Sequence, residues 1–337
     1  MKTKHLLLVA CMLLSLISCR TKDKTTTINE DLQTICDSLL SARLNELNGL
    51  SGQIVVMEVK SGEIKAIAGE SQSQPSSLAK GFSLLAVLET GKVKLSDTVD
   101  VGEGIYIDSN DTIKDHNWHR GGYGNLSVLE GFIYSSNIAC CKSTKKAFAN
   151  YQDYANMRSA ILYGEPKYIN GLDSLSDANF CTTDNCSLNY ACIGYQQMIS
   201  PIQTLTFYNA IANDGIMIKP ILYKGDAEII KEQIANKANI DSMQFALSES
   251  IKRGLGRVVY DKEICSSGLA ATTKIGEVND ENLYRMEFCG YFPSQKPQYT
   301  IIVCLDKVGL PASANHSAGK IYKEVVDYII QMEEENS

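Results

Sequence analysis

The spacing of apolar and polar positions changes along the chain, and each change marks an element. From Ile28 to Leu47 apolar residues recur at Ile28, Leu32, Ile35, Leu39, Leu40 and Leu47 with charges between them, which predicts an amphipathic first helix. Two β-branched runs then flank Lys60-Ser61-Gly62, one from Gly52 to Val59 and one from Glu63 to Ala68, and together read as a hairpin. Ser77 to Thr90 is helical in pattern with Gly91 as its stop. Ser127–Gly131 and Asn137–Ala149 read as two helices joined by a short polar break. Ser200 and Pro201 supply an N-cap and a first helical residue for a helix running to Asn213 and ending at Gly215. The last third turns strand-like at Ala270–Glu277, Leu283–Tyr291 and Tyr299–Leu305, and Ser317–Met332 closes the chain as an amphipathic helix. Strands at both ends with helices between them predict an α+β fold: a mainly antiparallel sheet formed from the two ends of the chain, covered by helices, with an inserted helical subdomain.

Composition narrows the setting. The chain has 337 residues, 44% hydrophobic and 21% charged, which fits a folded body with a sizeable core. With 32 Lys and Arg against 39 Asp and Glu, the net charge of -7 argues against nucleic acid as a partner. Lys2, Lys4 and His5 precede an apolar stretch from Leu6 to Ile17, the order of a secretory signal and short for a spanning helix. The polar run Arg20 to Thr27 that follows reads as a tether. Of the 11 cysteines, Cys11 lies within the leader; Cys181 and Cys186, in a Thr/Asp/Asn-rich loop, are the expected local disulfide. No metal site is expected, because His116, His119 and His316 stand far from those cysteines in sequence.

Ser77-Leu78-Ala79-Lys80 sets a hydroxyl and an amine three residues apart at a helix start, so both face one side. A neutral lysine amine can take the serine proton there, helped by the helix N-terminus and by burial that lowers the lysine pKa. Ser143–Lys146 and Ser317–Lys320 share the spacing, so the pair acquires meaning only from its context.

In context, the chain resembles the transpeptidase domain of class B penicillin-binding proteins. Gln74-Pro75-Ser76-Ser77-Leu78-Ala79-Lys80 is followed in the family's order by Leu88-Glu89-Thr90-Gly91, by Ile113-Lys114-Asp115-His116, and by Ser135-Ser136-Asn137. Val59–Gly69 upstream is similar to the family's opening hairpin, and Ile193-Gly194-Tyr195, Ser200-Pro201-Ile202-Gln203 and Ala212–Gly215 to the segment before its last motif. The resemblance runs from about Gly52 to Ile330 and implies the penicillin-binding transpeptidase/β-lactamase-like fold. It implies Ser77 as the acylated nucleophile, Lys80 as the base, Ser135 as the hydroxyl that relays a proton toward the leaving amine, and Asn137 as the residue holding the substrate's peptide carbonyl. Leu16-Ile17-Ser18-Cys19 likewise resembles a bacterial lipobox, which implies residues 1–18 as a signal peptide, Cys19 as the lipidated N-terminus, residues 19–48 as tether and first helix, and 49–337 as the transpeptidase-like domain.

The family's third motif has Lys, a hydroxyl residue and Gly on the strand beside the active site. Lys60-Ser61-Gly62 fits the letters but stands upstream of the nucleophile. Lys274-Ile275-Gly276-Glu277 has the right place, with Ile275 and Glu277 replacing hydroxyl or small residues. Lys274, Gly276 and Glu277 are therefore the expected substrate-binding residues, with the backbone N–H groups of Ser77 and Glu277 as the oxyanion donors. Loss of a hydrogen bond to a carboxylate costs about 1.5 to 3 kcal/mol, so the site either accepts something other than a D-Ala-D-Ala or penicillin carboxylate or has lost activity.

The resemblance thus implies an exported, lipid-anchored serine acyltransferase or hydrolase of the cell envelope acting on peptidoglycan stem peptides. β-lactams would be ligands, no cofactor would be needed, and the expectation is a stand-alone domain without the glycosyltransferase or large pedestal domain of bigger relatives. The alternatives are a noncatalytic peptidoglycan-binding or β-lactam-sensing protein and a class D-like β-lactamase.

Overall fold

The computed structural model describes residues 25–172, 177–182, 185–310 and 313–335; the leader and Cys19 lie outside the described residues. Five long strands form one antiparallel sheet: β1 (Ser51–Glu58), β2 (Ile64–Glu70), β3 (Ser267–Val278), β4 (Glu281–Phe292) and β5 (Tyr299–Val308), in the order β3-β4-β5-β1-β2. Both ends of the chain contribute to it, as the sequence pattern predicts, and β1 is the junction, pairing with β2 on one side and β5 on the other. Strand β1 is buried without interruption from Ile54 to Met57 because both faces of the sheet are covered. Ile54 and Val56 face α1 (Glu30–Leu47) and the C-terminal helix Ala318–Glu335, whereas Val55 and Met57 face the helical middle of the chain.

That middle supplies α2 (Ala79–Glu89), α3 (Val128–Ile133), α4 (Asn137–Ala147), α5 (Tyr151–Ile161), α6 (Leu188–Cys192), α7 (Pro201–Ala212) and α8 (Lys237–Arg253). Ser127 caps α3 through a capping box with Glu130, and Ser200 caps α7 through one with Gln203, with Pro201 at the first turn. All twelve residues of α7 are buried, so this helix is the axle between the sheet and the helical layer. The Cys181–Cys186 disulfide is formed, as expected. The tether is shorter than the sequence suggests: Thr26 bridges to Tyr223, and the buried Thr27 hydroxyl donates to Ile64 O at 2.7 Å.

On the face of β4 toward the helical layer lies a buried ion pair. Arg285 donates from Nε and Nη2 to both carboxylate oxygens of Asp306, its register partner on β5, each at 2.8 Å. The same guanidinium reaches Gln72 O at 3.0 Å and Ser71 Oγ at 2.7 Å, and so pins the segment that leaves β2. Asp306→Ala would leave Arg285 buried without its counter-charge. The expected loss is about 3 to 5 kcal/mol in urea unfolding, most of it recovered by Arg285→Met with Asp306→Leu. A single-variant loss below about 1 kcal/mol would refute this role.

Candidate active site

The chain from β2 to α2 is held at three further points before it reaches Ser77. Gln74 and Ile199 exchange backbone hydrogen bonds, Ser76 N donates to Gly194 O at 3.2 Å, and the Ser76 hydroxyl donates to Glu287 Oε2 at 2.6 Å. Gly194 is required at its position: at φ +98°, a Cβ there would stand 1.9 Å from Ser76 O. Ser76 Oγ also accepts from Leu78 N at 3.1 Å, within the turn that precedes α2. The helix starts at Ala79 rather than at Ser77, so Ser77 lies in the turn that leads into it.

Lys80, one helical turn on, is only 4% exposed. Its Nζ donates to Ser135 Oγ at 2.9 Å and to Ser135 O at 3.1 Å. Ser135 has φ +55°, a left-handed conformation unusual for a residue with a side chain, and it is this turn that presents both of its oxygens to the amine. Asp115 fixes the turn, accepting from Ser136 Oγ at 2.7 Å and from Ile138 N at 3.1 Å at the start of α4. Burial holds the Lys80 pKa below the ordinary lysine value, in spite of Asp115 and the neighbouring thiols. A cavity of about 20 Å³ lies against this side chain, lined by Leu84, Val87 and Phe132 together with Ser83, Ser136 and Thr144.

The structure therefore brings Lys80 and Ser135 together. Ser77 Oγ donates to Ile193 O at 3.4 Å, while the hydrogen bonds of Lys80 run to Ser135 rather than to Ser77. Asn137 donates from Nδ2 to Lys114 O at 2.8 Å. The other Ser/Lys pairs are structural: Lys146 pairs with Asp97 outside, and Ser317 donates back to Ser313 O. Lys60, in the hairpin turn, donates to Asn213 Oδ1.

The third motif differs from expectation. Lys274 and Glu277 are exposed and pair with each other at 2.7 Å, which raises the pKa of one and lowers that of the other. The β3 residue that meets Ser77 is Thr273, 1% exposed, whose Oγ1 accepts the Ser77 backbone N–H at 2.8 Å. Strand alternation explains this: Ala271 and Thr273 sit opposite Glu287 and Arg285 on the inner face, which turns Lys274 outward, and the register slips between Lys274 and Gly276. Leu269 and Ala270 are both buried, so composition hides the alternation that would have singled out Thr273.

Residues 52–327 match the family described as the penicillin binding protein transpeptidase domain. The chain is also similar to a probable peptidoglycan D,D-transpeptidase of Neisseria flavescens, 21% identical across 90% of this chain and 81% of that protein. Among solved structures, the transpeptidase domain of penicillin-binding protein 3 from Burkholderia pseudomallei superposes with a TM-score of 0.81 at 19% identity, covering 93% of this chain and 97% of that one. Penicillin-binding protein 3 of Mycobacterium tuberculosis complexed with ampicillin gives 0.78 at 19% identity, covering 92% and 78%.

The Asp115 contacts carry a prediction. Asp115→Ala removes the acceptor of two buried donors at the Ser135–Asn137 turn, and should lower stability by about 3 kcal/mol in urea unfolding. Asp115→Asn, which keeps one acceptor oxygen, should lose less. Equal losses for the two variants would show that the carboxylate does not hold the turn.

Proposed function

The chain belongs to the penicillin-binding protein transpeptidase domain family, and on that premise we propose that it is a serine acyltransferase acting on peptidoglycan stem peptides through a Ser77 acyl-enzyme. The observation that carries this is the buried Lys80 amine, one turn from Ser77 and hydrogen-bonded to Ser135. In its neutral form Lys80 accepts the Ser77 proton as the Ser77 Oγ–acyl bond forms and the bond to the leaving amine breaks; the proton passes through Ser135 to that nitrogen. Asn137, at the start of α4, holds the peptide carbonyl of the donor strand. β-lactams enter as mimics of the acyl donor. Transfer to an amine gives a transpeptidase, transfer to water a carboxypeptidase. A second reading, a noncatalytic peptidoglycan- or β-lactam-binding protein of the same fold, is favoured by the outward ion pair of Lys274 and Glu277.

The protein works in the cell envelope, held there by lipid on Cys19. No helix among the described residues is long and apolar enough to cross a membrane. Cys19→Ala should abolish incorporation of labelled palmitate in cells; a variant still labelled would exclude this anchor.

Incubation of the purified protein with a fluorescent penicillin should label the peptide bearing Ser77. Ser77→Ala should abolish the label, and Lys80→Ala should slow it by about 10²- to 10⁴-fold. Because burial disfavours the ammonium form, the neutral fraction of Lys80 grows at lower pH than for a free lysine. The acylation rate should therefore rise with pH and level off below about 10.4. A label on another residue, or none on a folded protein, would favour the noncatalytic reading.

A further inference from the structure

The Ser77 backbone N–H precedes the first turn of α2 and has no partner within that helix; such a donor serves an oxyanion or any other acceptor that reaches it. Here the acceptor is already present. Thr273 Oγ1 lies 2.8 Å from Ser77 N, both residues are buried, and the remaining neighbours of Ser77 are occupied as well, with its own hydroxyl directed to Ile193 O. We propose that Thr273 is a built-in occupant of the oxyanion position, which an acyl donor must displace before Ser77 can react.

The proposal rests on the Ser77 reading above and adds to it what sets the rate. A carbonyl oxygen becoming an oxyanion needs in-line N–H donors, and a donor held by a hydroxyl at 2.8 Å is not free to serve it at full strength. Thr273 is not a loosely held side chain. It faces Arg285 across the β3–β4 ladder, and Arg285 is locked to Asp306. Ser76, beside the nucleophile, is held to Glu287 on the same strand as Arg285. Withdrawal of Thr273 therefore requires either rotation of its side chain in a closed space or movement of β3 away from α2. Beyond Thr273 the strand offers such a place: the register slips between Lys274 and Gly276, a Cβ on Gly276 would meet nothing within 4 Å, and Ile275 to Glu277 are half-buried or exposed. A small acyl donor that contacts only Ser77 gains little from that movement. One that also lies along this outer part of β3 can drive it with its own binding energy.

The test is the second-order rate of labelling by one fluorescent penicillin on the full chain, compared among wild type, Thr273→Ala, Thr273→Ser and Thr273→Gly, with folding of each checked by its urea midpoint. Removal of the occupying hydroxyl should speed acylation on the order of 10- to 100-fold in the Ala variant, the scale on which single oxyanion donors act. Thr273→Ser, which keeps the hydroxyl, should stay within about threefold of wild type, and Thr273→Gly, which also lacks the hydroxyl, should repeat the gain of the Ala variant. A gain in rate separates this role from a structural one, which substitution would only damage. Labelling at Ser77 that is unchanged or slower without the hydroxyl would overturn the proposal and leave the Ser77 reading standing; a slower rate would make Thr273 a donor to the substrate. No labelling at Ser77 in any folded variant would overturn the Ser77 reading, and this proposal with it.

Discussion

The candidate site depends on keeping one lysine amine out of water. Burial of an ammonium group is costly, so the fold must supply oxygens for it, lower its charge, or both. Here the oxygens come from a single residue, Ser135, whose left-handed backbone turns carbonyl and hydroxyl toward the same point. The rest of the helical layer follows from holding that turn. Asp115 ties it to the start of α4, and the Cys140, Cys141 and Cys192 side chains close the site from α4 and α6. The Ser83 hydroxyl, on the same helix as Lys80, donates to Cys192 O at 2.6 Å and fixes α6 against α2.

The sheet holds the other half of the site and carries its own cost. Glu287 is 2% exposed, and burial raises its pKa even though Arg285 opposes the shift. For a carboxyl whose pKa is raised on folding, the contribution to stability is full below its unfolded pKa and is lost as pH rises through the folded one. For Lys80, whose pKa is lowered, the contribution is present above the unfolded pKa and is lost as pH falls through the folded one. Neutral pH lies above the unfolded value of the carboxyl and below that of the lysine, so both contributions are reduced there. What the two buried groups provide instead is position: Glu287 grips Ser76, and Lys80 grips the Ser135 turn, on either side of Ser77.

Much of this was legible in the sequence because it rests on local chemistry. Ser200 and Pro201 start a helix wherever they stand together before an apolar run, and two cysteines in a short polar loop can close on each other; both features are present. The sheet built from both ends followed from strand-like runs at both ends. Other features depend on tertiary packing. The helix Lys237–Arg253 does carry a helical period at Ile240, Met243, Leu247 and Ile251, but neither it nor Tyr151–Ile161 is among the elements read from the sequence, and the short strand pairs Thr98–Gly102 with Gly124–Ser127 and Ile105–Asp108 with Asp111–Lys114 are too brief to show a period. In the third motif the letters drew attention to Lys274, Gly276 and Glu277. Which side of β3 meets Ser77 is set by pairing with β4, and that pairing selects Thr273.

The two motifs that surround Ser77 are consequently in opposite states. On the helical side, the Lys80 amine is buried, its pKa is lowered and it already touches the Ser135 hydroxyl, so on the proposed mechanism base and relay meet before any substrate arrives. On the sheet side, the Ser77 backbone N–H, the proposed oxyanion donor, is occupied by the Thr273 hydroxyl. A site that had simply decayed would have little reason to retain the first arrangement, because a buried lysine with one partner residue subtracts from stability. A site optimised for rapid reaction with any small acyl donor would not retain the second. Together with the proposed mechanism, the two observations describe one design, in which the proposed base and relay are assembled in advance and the rate is governed by what moves β3. On this view Ile275 and Glu277 matter less as missing carboxylate ligands than as the exposed end of the strand that a substrate must engage, and selectivity lies in binding along that end rather than in the chemistry at Ser77.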